Sequence, residues 1–259
     1  MPYFRTDRRN KIYYELHQNA EVSETLVFLH GWAEYHKIWR EQIDFFQKNY
    51  QILTYDLRGF GLSSKPTYGY SLKQQSKYLR KLIQALEITN YWLIGHSLGG
   101  IITLKYCEKF FDEIKGAVLI DTTAYIPTKL SIWRNLGSFF VSKTLRQIWQ
   151  RTLKSSKSEQ RRTLIENLIH DSDSVPLYVS AACGIAVINS TVDLKSISCP
   201  VLIIVGENDI LTPVDLSQKM HKKLSNSEFE IISDTGHMSF IEKPDEINSR
   251  MAEFFQNAK

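Results

Sequence analysis

Cysteine is scarce in this chain. There are 3 in 259 residues, Cys107, Cys183 and Cys199, an odd number without C-x-x-C spacing. That excludes a disulfide framework and offers no zinc-site spacing. Glycine and proline, at 12 and 7, are too few for collagen or low-complexity architecture. No run approaches the roughly 18 uninterrupted apolar residues of a membrane-spanning helix. The opening MPYFRTDRRNKIYY is charged and has no apolar stretch of the secretory-signal kind, so a cytoplasmic location is expected. Charge of one sign is also missing, because a formal net charge of +4 is too mild to argue for nucleic acid. What is present, 43% hydrophobic and 23% charged residues, is ordinary for a globular protein. The length fits one large domain or a core with an insertion.

Short β-branched apolar runs recur, each followed by a turn and then a helical pattern. They are Thr25–Leu29 (TLVFL), Gln51–Tyr55 (QILTY), Tyr91–Ile94 (YWLI), Ala117–Ile120 (AVLI), Val201–Val205 (VLIIV) and Phe229–Ile232 (FEII). Such runs suit strands buried on both faces of a parallel sheet. Between them, Ser71–Leu86 places Leu72, Tyr78, Leu79, Leu82, Ile83 and Leu86 on one helical stripe. The alternation predicts a mostly parallel, doubly wound α/β sheet with right-handed crossovers. Lys11–Leu16 (KIYYEL) alternates and reads as an antiparallel edge strand.

The alternation fails from Ala124 to Ser190, where apolar residues such as Trp133, Leu136, Phe140, Trp149 and Leu164 fall at helical spacing. A gap of that length is too long for a plain loop. It predicts a helical cap at 124–190, inserted into a core made of 1–123 and 191–259. Positive charge is concentrated there: the segment carries +5 and the remainder −1.

The sharpest local feature is Gly95-His96-Ser97-Leu98-Gly99, a G-x-S-x-G placed between the strand YWLI and the helix-like IITLKYCEKF. In that context the serine occupies a tight turn that only glycines permit, and the next N–H, of Leu98, faces the developing oxyanion. A serine needs a general base, and the base needs an orienting acid. Asp209 follows the strand VLIIV and His237 follows FEII, so both project from the sheet edge that carries Ser97. Asp121, just after AVLI, is the alternative acid. The loop His30-Gly31-Trp32 follows TLVFL and offers the Trp32 N–H as second oxyanion donor.

Other polar residues read as structural. His96 is expected to pack at the elbow and His30 to shape the oxyanion loop. Asp56 and Arg58 are expected to hold the turn around Gly59 and Gly61, and Cys107 to sit in the core. His17, His36, His170 and His221 show no metal-ligand spacing. DLRGFGLS lacks the third glycine of a dinucleotide fingerprint.

With these pieces in place the chain resembles the α/β-hydrolase superfamily. HGW at 30–32, DLRGFGLS at 56–63, GHSLGG at 95–100, GENDILTP at 206–213 and DTGHMSFIEKP at 234–244 arrive in the family's order. The resemblance implies the α/β-hydrolase fold and a triad of Ser97, Asp209 and His237. It also implies acyl transfer to water, with no organic cofactor and no metal. A serine nucleophile stands against the haloalkane dehalogenase and epoxide hydrolase branches, which use aspartate. Size and motif layout are further similar to the pimeloyl-acyl-carrier-protein methyl ester esterases of biotin synthesis, whose cap arginines meet an acidic carrier protein. That similarity would assign Arg134, Arg146, Arg151, Arg161 and Arg162 to carrier binding, although the same charges also suit a solvated cap surface. His96 departs from it, because the best-known members carry tryptophan there. A monomer acting on a small acyl ester is expected. A cofactor-free lyase of the menaquinone-pathway type and a ligand sensor with little turnover share the same three residues.

Overall fold

The computed structural model describes residues 2–125, 146–154, 156, 158–172, 175–189 and 191–258. The strands are β1 (Tyr3–Arg5), β2 (Lys11–His17), β3 (Thr25–Leu29), β4 (Gln51–Tyr55), β5 (Tyr91–His96), β6 (Gly116–Ile120), β7 (Val201–Gly206) and β8 (Ser227–Ile232). They form one sheet in the order β1-β2-β4-β3-β5-β6-β7-β8. The pairings β1–β2 and β2–β4 are antiparallel and the others parallel. This is the mostly parallel α/β sheet expected from the alternating runs, in keeping with the fold that the resemblance implies.

Two expectations change. The KIYYEL strand is not at the edge, because β1 pairs outside it with Tyr3 opposite Tyr13. Three residues with no apolar run left no readable signal there. FEII is not buried on both faces: β8 is the opposite edge strand, and most of its residues are half-buried. Edge position explains its alternating glutamates, which discourage further strand pairing.

Alternate side chains of the central strands feed two cores, one on each face. One contains Val27, Leu29, Leu93 and Leu119 with α2 (Leu72–Ala85) and α3 (Leu98–Phe110). The other contains Phe28, Ile94, Val118 and Ile204 with α1 (Arg40–Phe46) and α9 (Pro244–Asn257). Leu29 pairs with Gly95, Gly95 with Leu119, Ile120 with Ile204, and Gly206 with Ile232. The parallel strands thus end in register, and the loops leaving them start along one edge.

Between β6 and β7 run helical residues 146–154 (α4), α5 (Glu159–Ser172) and α6 (Leu177–Ile188). Beyond β7 come α7 (Val214–His221) and the short α8 (Ser239–Glu242). Ile148, Trp149, Ile165 and Leu168 join the second core, and Val179 and Cys183 join the first. Polar ties fix these helices to the rest. Thr152 Oγ1 donates to Glu242 at 3.1 Å, Arg161 Nε to Glu41 at 2.8 Å, and the Tyr178 hydroxyl to the Lys65 carbonyl. Trp133, Arg134, Leu136 and Phe140 lie outside the described residues. Among the described residues no helix is long and apolar enough to cross a membrane.

Candidate active site

Ser97 sits between β5 and α3 with φ 49° and ψ −115°, a backbone that a side-chain-bearing residue adopts only under constraint. The constraint is close approach. A Cβ on Gly99 would stand 2.3 Å from the Leu29 carbonyl oxygen, and one on Gly95 2.6 Å from that of Gly99. Only glycine permits the helix to start this near the strands. The turn is pinned at both ends: Ser97 N–H donates to Ile120 O at 3.1 Å, and Thr122 Oγ1 donates to Ser97 O at 2.6 Å.

The structure brings together the three residues expected from three distant motifs. The Ser97 hydroxyl lies 3.0 Å from His237 Nε2, and His237 Nδ1 lies 2.8 Å from Asp209 Oδ2. His237 and Asp209 are buried, at 2% and 4% exposed. Asp209 also accepts the N–H groups of Leu211 (2.8 Å) and Thr212 (3.0 Å), and the Thr212 hydroxyl at 2.6 Å. Burial resists charging either partner. Against it, the His237 charge and the donated hydrogen bonds hold the Asp209 carboxyl well below the usual range. Burial likewise opposes protonating His237, but the Asp209 charge and hydrogen bond outweigh it and raise the imidazole above its ordinary 6.5.

Asp121, the alternative acid, is fully buried and does not bond to the ring. Its oxygens accept Gly206 N–H at 2.8 Å, Ser239 N–H at 3.0 Å and the Ser239 hydroxyl at 2.7 Å. Burial, then the charge of Asp209, push its carboxyl up to about 6.

The loop after β3 is organised by His30. Its Nδ1 donates to Gly31 O at 2.7 Å and its Nε2 accepts Leu57 N–H at 2.9 Å. Gly31 N–H is taken by Glu34 Oε2 at 2.5 Å. Among the described residues no group accepts the Trp32 N–H. Leu98 supplies the first N–H of α3, a group that an α-helix leaves without an internal partner. The Trp32 and Leu98 N–H groups are thus both left without a partner among the described residues.

Glu34 and Thr212 were not anticipated. Thr212 has a local signal, an Asp three residues before a threonine at a helix start. Glu34 has none, because its partner His96 is 62 residues away. Asp56 and Arg58 do hold the expected turn: Asp56 Oδ2 accepts Leu62 N–H at 2.7 Å, and Arg58 Nε donates to Tyr68 O at 3.2 Å.

The cap arginines have different surroundings. Arg146, Arg151 and Arg162 are exposed, Arg146 with an interaction of its own, and Arg161 is half-buried and bound to Glu41. Arg151 lines a cleft of about 220 Å³ with Ile148, Asn208, Ile210 and His237. Arg134 lies outside the described residues. Among the described residues no cluster of His, Cys, Asp or Glu is suited to a metal ion.

The alpha/beta hydrolase fold family matches residues 24–244 of this chain. The AB hydrolase superfamily protein YisY of Bacillus subtilis is 27% identical over 245 residues, covering 88% of this chain and 90% of its own. The 3-oxoadipate enol-lactonase 2 of Acinetobacter baylyi is 28% identical over 229 residues, covering 86% and 85%. A hydrolase from Pseudomonas aeruginosa has the same fold, with a TM-score of 0.86 at 20% identity over 98% of this chain and 97% of its own.

Proposed function

The chain belongs to the alpha/beta hydrolase fold family and is a hydrolase of the carboxylesterase type, and from that premise we propose that it cleaves carboxylic esters through an acyl-enzyme on Ser97. The observation that carries the reading is the unbroken chain of contacts from the half-buried Ser97 Oγ through buried His237 to buried Asp209. In this reaction His237 takes the hydroxyl proton as Oγ bonds to the ester carbonyl carbon, and Asp209 stabilises the imidazolium. The N–H groups of Trp32 and Leu98 receive the carbonyl oxygen as it becomes an oxyanion. The alcohol leaves with the proton from Nε2. Water, deprotonated by the same nitrogen, then adds to the acyl carbon and releases the acid and free Ser97. A lactone is a cyclic ester and reacts by the same steps.

The substrate proposed is a methyl ester carried on acidic acyl carrier protein, as in biotin synthesis. The +5 balance of residues 124–190 and the exposure of Arg151 and Arg162 support it through electrostatic complementarity. Arg161, already held by Glu41, contributes less. The test is kcat/KM for one acyl methyl ester presented on the carrier and free, at low and high salt. A carrier advantage above about tenfold that salt erases is expected for a docking surface. Equal turnover of both at either salt reduces the protein to a small-ester carboxylesterase, and turnover of neither favours the lyase and sensor functions.

A further inference from the structure

Glu34 and His96 are buried, at 2% and 0% exposed, and neither takes a step in the reaction above. They meet between the loop after β3 and the elbow after β5. Glu34 Oε2 accepts Gly31 N–H and lies 3.1 Å from His96 Nδ1. On the other side of the ring, His96 Nε2 lies 2.9 Å from the His237 carbonyl oxygen. A carbonyl has no hydrogen to give, so Nε2 is a donor. Oε2 thus meets both the Gly31 N–H and the ring edge of His96. Burial favours a neutral Glu34, but the charge and hydrogen bond of His96 hold its carboxyl below the usual range. Glu34 therefore joins the Gly31 N–H to one side of the His96 ring, and the other side of the ring donates to the His237 carbonyl.

We propose that Glu34 and His96 are positioning residues that lock the oxyanion loop, the nucleophile elbow and the backbone of the catalytic histidine into one unit. The inference rests on the serine-hydrolase reading above. Glu34 fixes the His30–Gly31 peptide by its N–H, directly before the Gly31–Trp32 peptide whose carbonyl His30 Nδ1 holds and whose N–H receives the oxyanion. The left-handed backbone of Ala33, φ 59°, turns the chain so that the Glu34 carboxylate comes back under Gly31. The approach is close: a Cβ on Gly31 would stand 2.8 Å from both Glu34 Oε2 and His96 Nδ1. His96 in turn holds the main chain of His237, while Ser97 and Asp209 hold its ring. Oxyanion donors lose their effect when displaced from the position that the charge will occupy, so a brace on both the donor loop and the base acts on the reaction step more than on ground-state binding.

The experiment follows labelling of Ser97 by an alkyl fluorophosphonate, in which an Oγ–P bond forms and fluoride leaves. It reads the saturating rate and the half-saturating concentration separately. Glu34→Gln and His96→Asn are each expected to slow the saturating rate by roughly 10- to 100-fold, part of the loss seen when an oxyanion donor is removed. The half-saturating concentration is expected to change by less than about threefold. The double variant should be no slower than the slower single variant, because two parts of one unit are lost only once. A residue that merely stabilises the fold lowers the melting temperature and leaves labelling of the folded protein unchanged. Saturating rates within about threefold of the unaltered chain, or losses that multiply in the double variant, overturn the proposal. Should either variant fail to fold, Glu34→Asp replaces it, keeping the charge but withdrawing it by one methylene, with the same loss expected. If the unaltered chain takes no label, the serine-hydrolase reading falls and this inference with it. If it labels and the variants match it, only the brace is lost.

Discussion

Asp121 and Asp209 stand beyond the ends of neighbouring strands, β6 and β7, and both are buried, yet only Asp209 reaches the ring of His237. Asp121 commits its oxygens to Gly206 and Ser239, fastening the end of β7 to the segment that follows His237. One carboxylate holds the His237 ring and the other the scaffold.

Exchange of each for its amide separates these roles. Asp209→Asn leaves the fold but offers the ring the wrong hydrogen-bond partner, and kcat should fall by about 10⁴. Asp121→Asn keeps one acceptor and loses another, so stability should fall by about 1–3 kcal/mol and turnover by less than about tenfold. Ester kinetics beside denaturant titration measure both. A kcat loss for Asp121→Asn equal to that for Asp209→Asn would reverse the assignment.

The proposed reaction needs His237 neutral, and its imidazole is raised above 6.5. Activity should therefore still be climbing at neutral pH and level off only on the alkaline side. Stability should run the other way. A group whose folded pKa is raised contributes stability that is fully present below its unfolded pKa and is lost as pH rises through the folded value. Melting temperatures between pH 6.5 and 9.5 should decline in the unaltered chain and decline less in His237→Gln. Parallel curves for the two proteins would contradict the pairing with Asp209.

The Ser97 backbone couples reactivity to strain. Ser97→Ala should lower turnover by several orders of magnitude without relieving the backbone. Ser97→Gly should be equally inactive but more stable, by about 1 kcal/mol, because glycine accepts φ 49° freely. Calorimetry of the two inactive variants, side by side, reads the difference. Equal stability means that the turn holds no strain.

Gly99 tolerates no side chain, since the atom facing it is the Leu29 backbone carbonyl, which has no rotamer to change. Gly99→Ala should destabilise by about 3 kcal/mol or more and give little folded protein. Soluble yield and denaturation midpoint decide. A variant that folds with near-normal stability would show that β3 and α3 can separate.

The central strands were legible because burial on both faces leaves only apolar residues to read. Thr25–Leu29 and Gln51–Tyr55 match β3 and β4 residue for residue. Ser97, Asp209 and His237 were legible because each follows such a strand in a short polar motif. β1 and the true edges were not, since pairing at an edge needs no apolar code. Glu34 was hidden for a different reason: a buried glutamate is recognised only by its partner, and His96 comes within reach only after β3 and β5 have paired.

None of Ser97, Asp209, His237, Trp32 or Leu98 comes from the length between β6 and β7, and neither do Glu34 and His96. The proposed reaction centre and the helices α4, α5 and α6 are thus separate stretches of chain, joined covalently only near Asp121 and Asp193. A stretch attached in this way can be exchanged whole, in a laboratory chimera or over descent. The requirement is that the replacement refill the hydrophobic seat of Trp149 and Ile165 and keep a cation opposite Glu41. The fold is therefore modular. One fixed reaction centre can be inherited under a succession of different roofs.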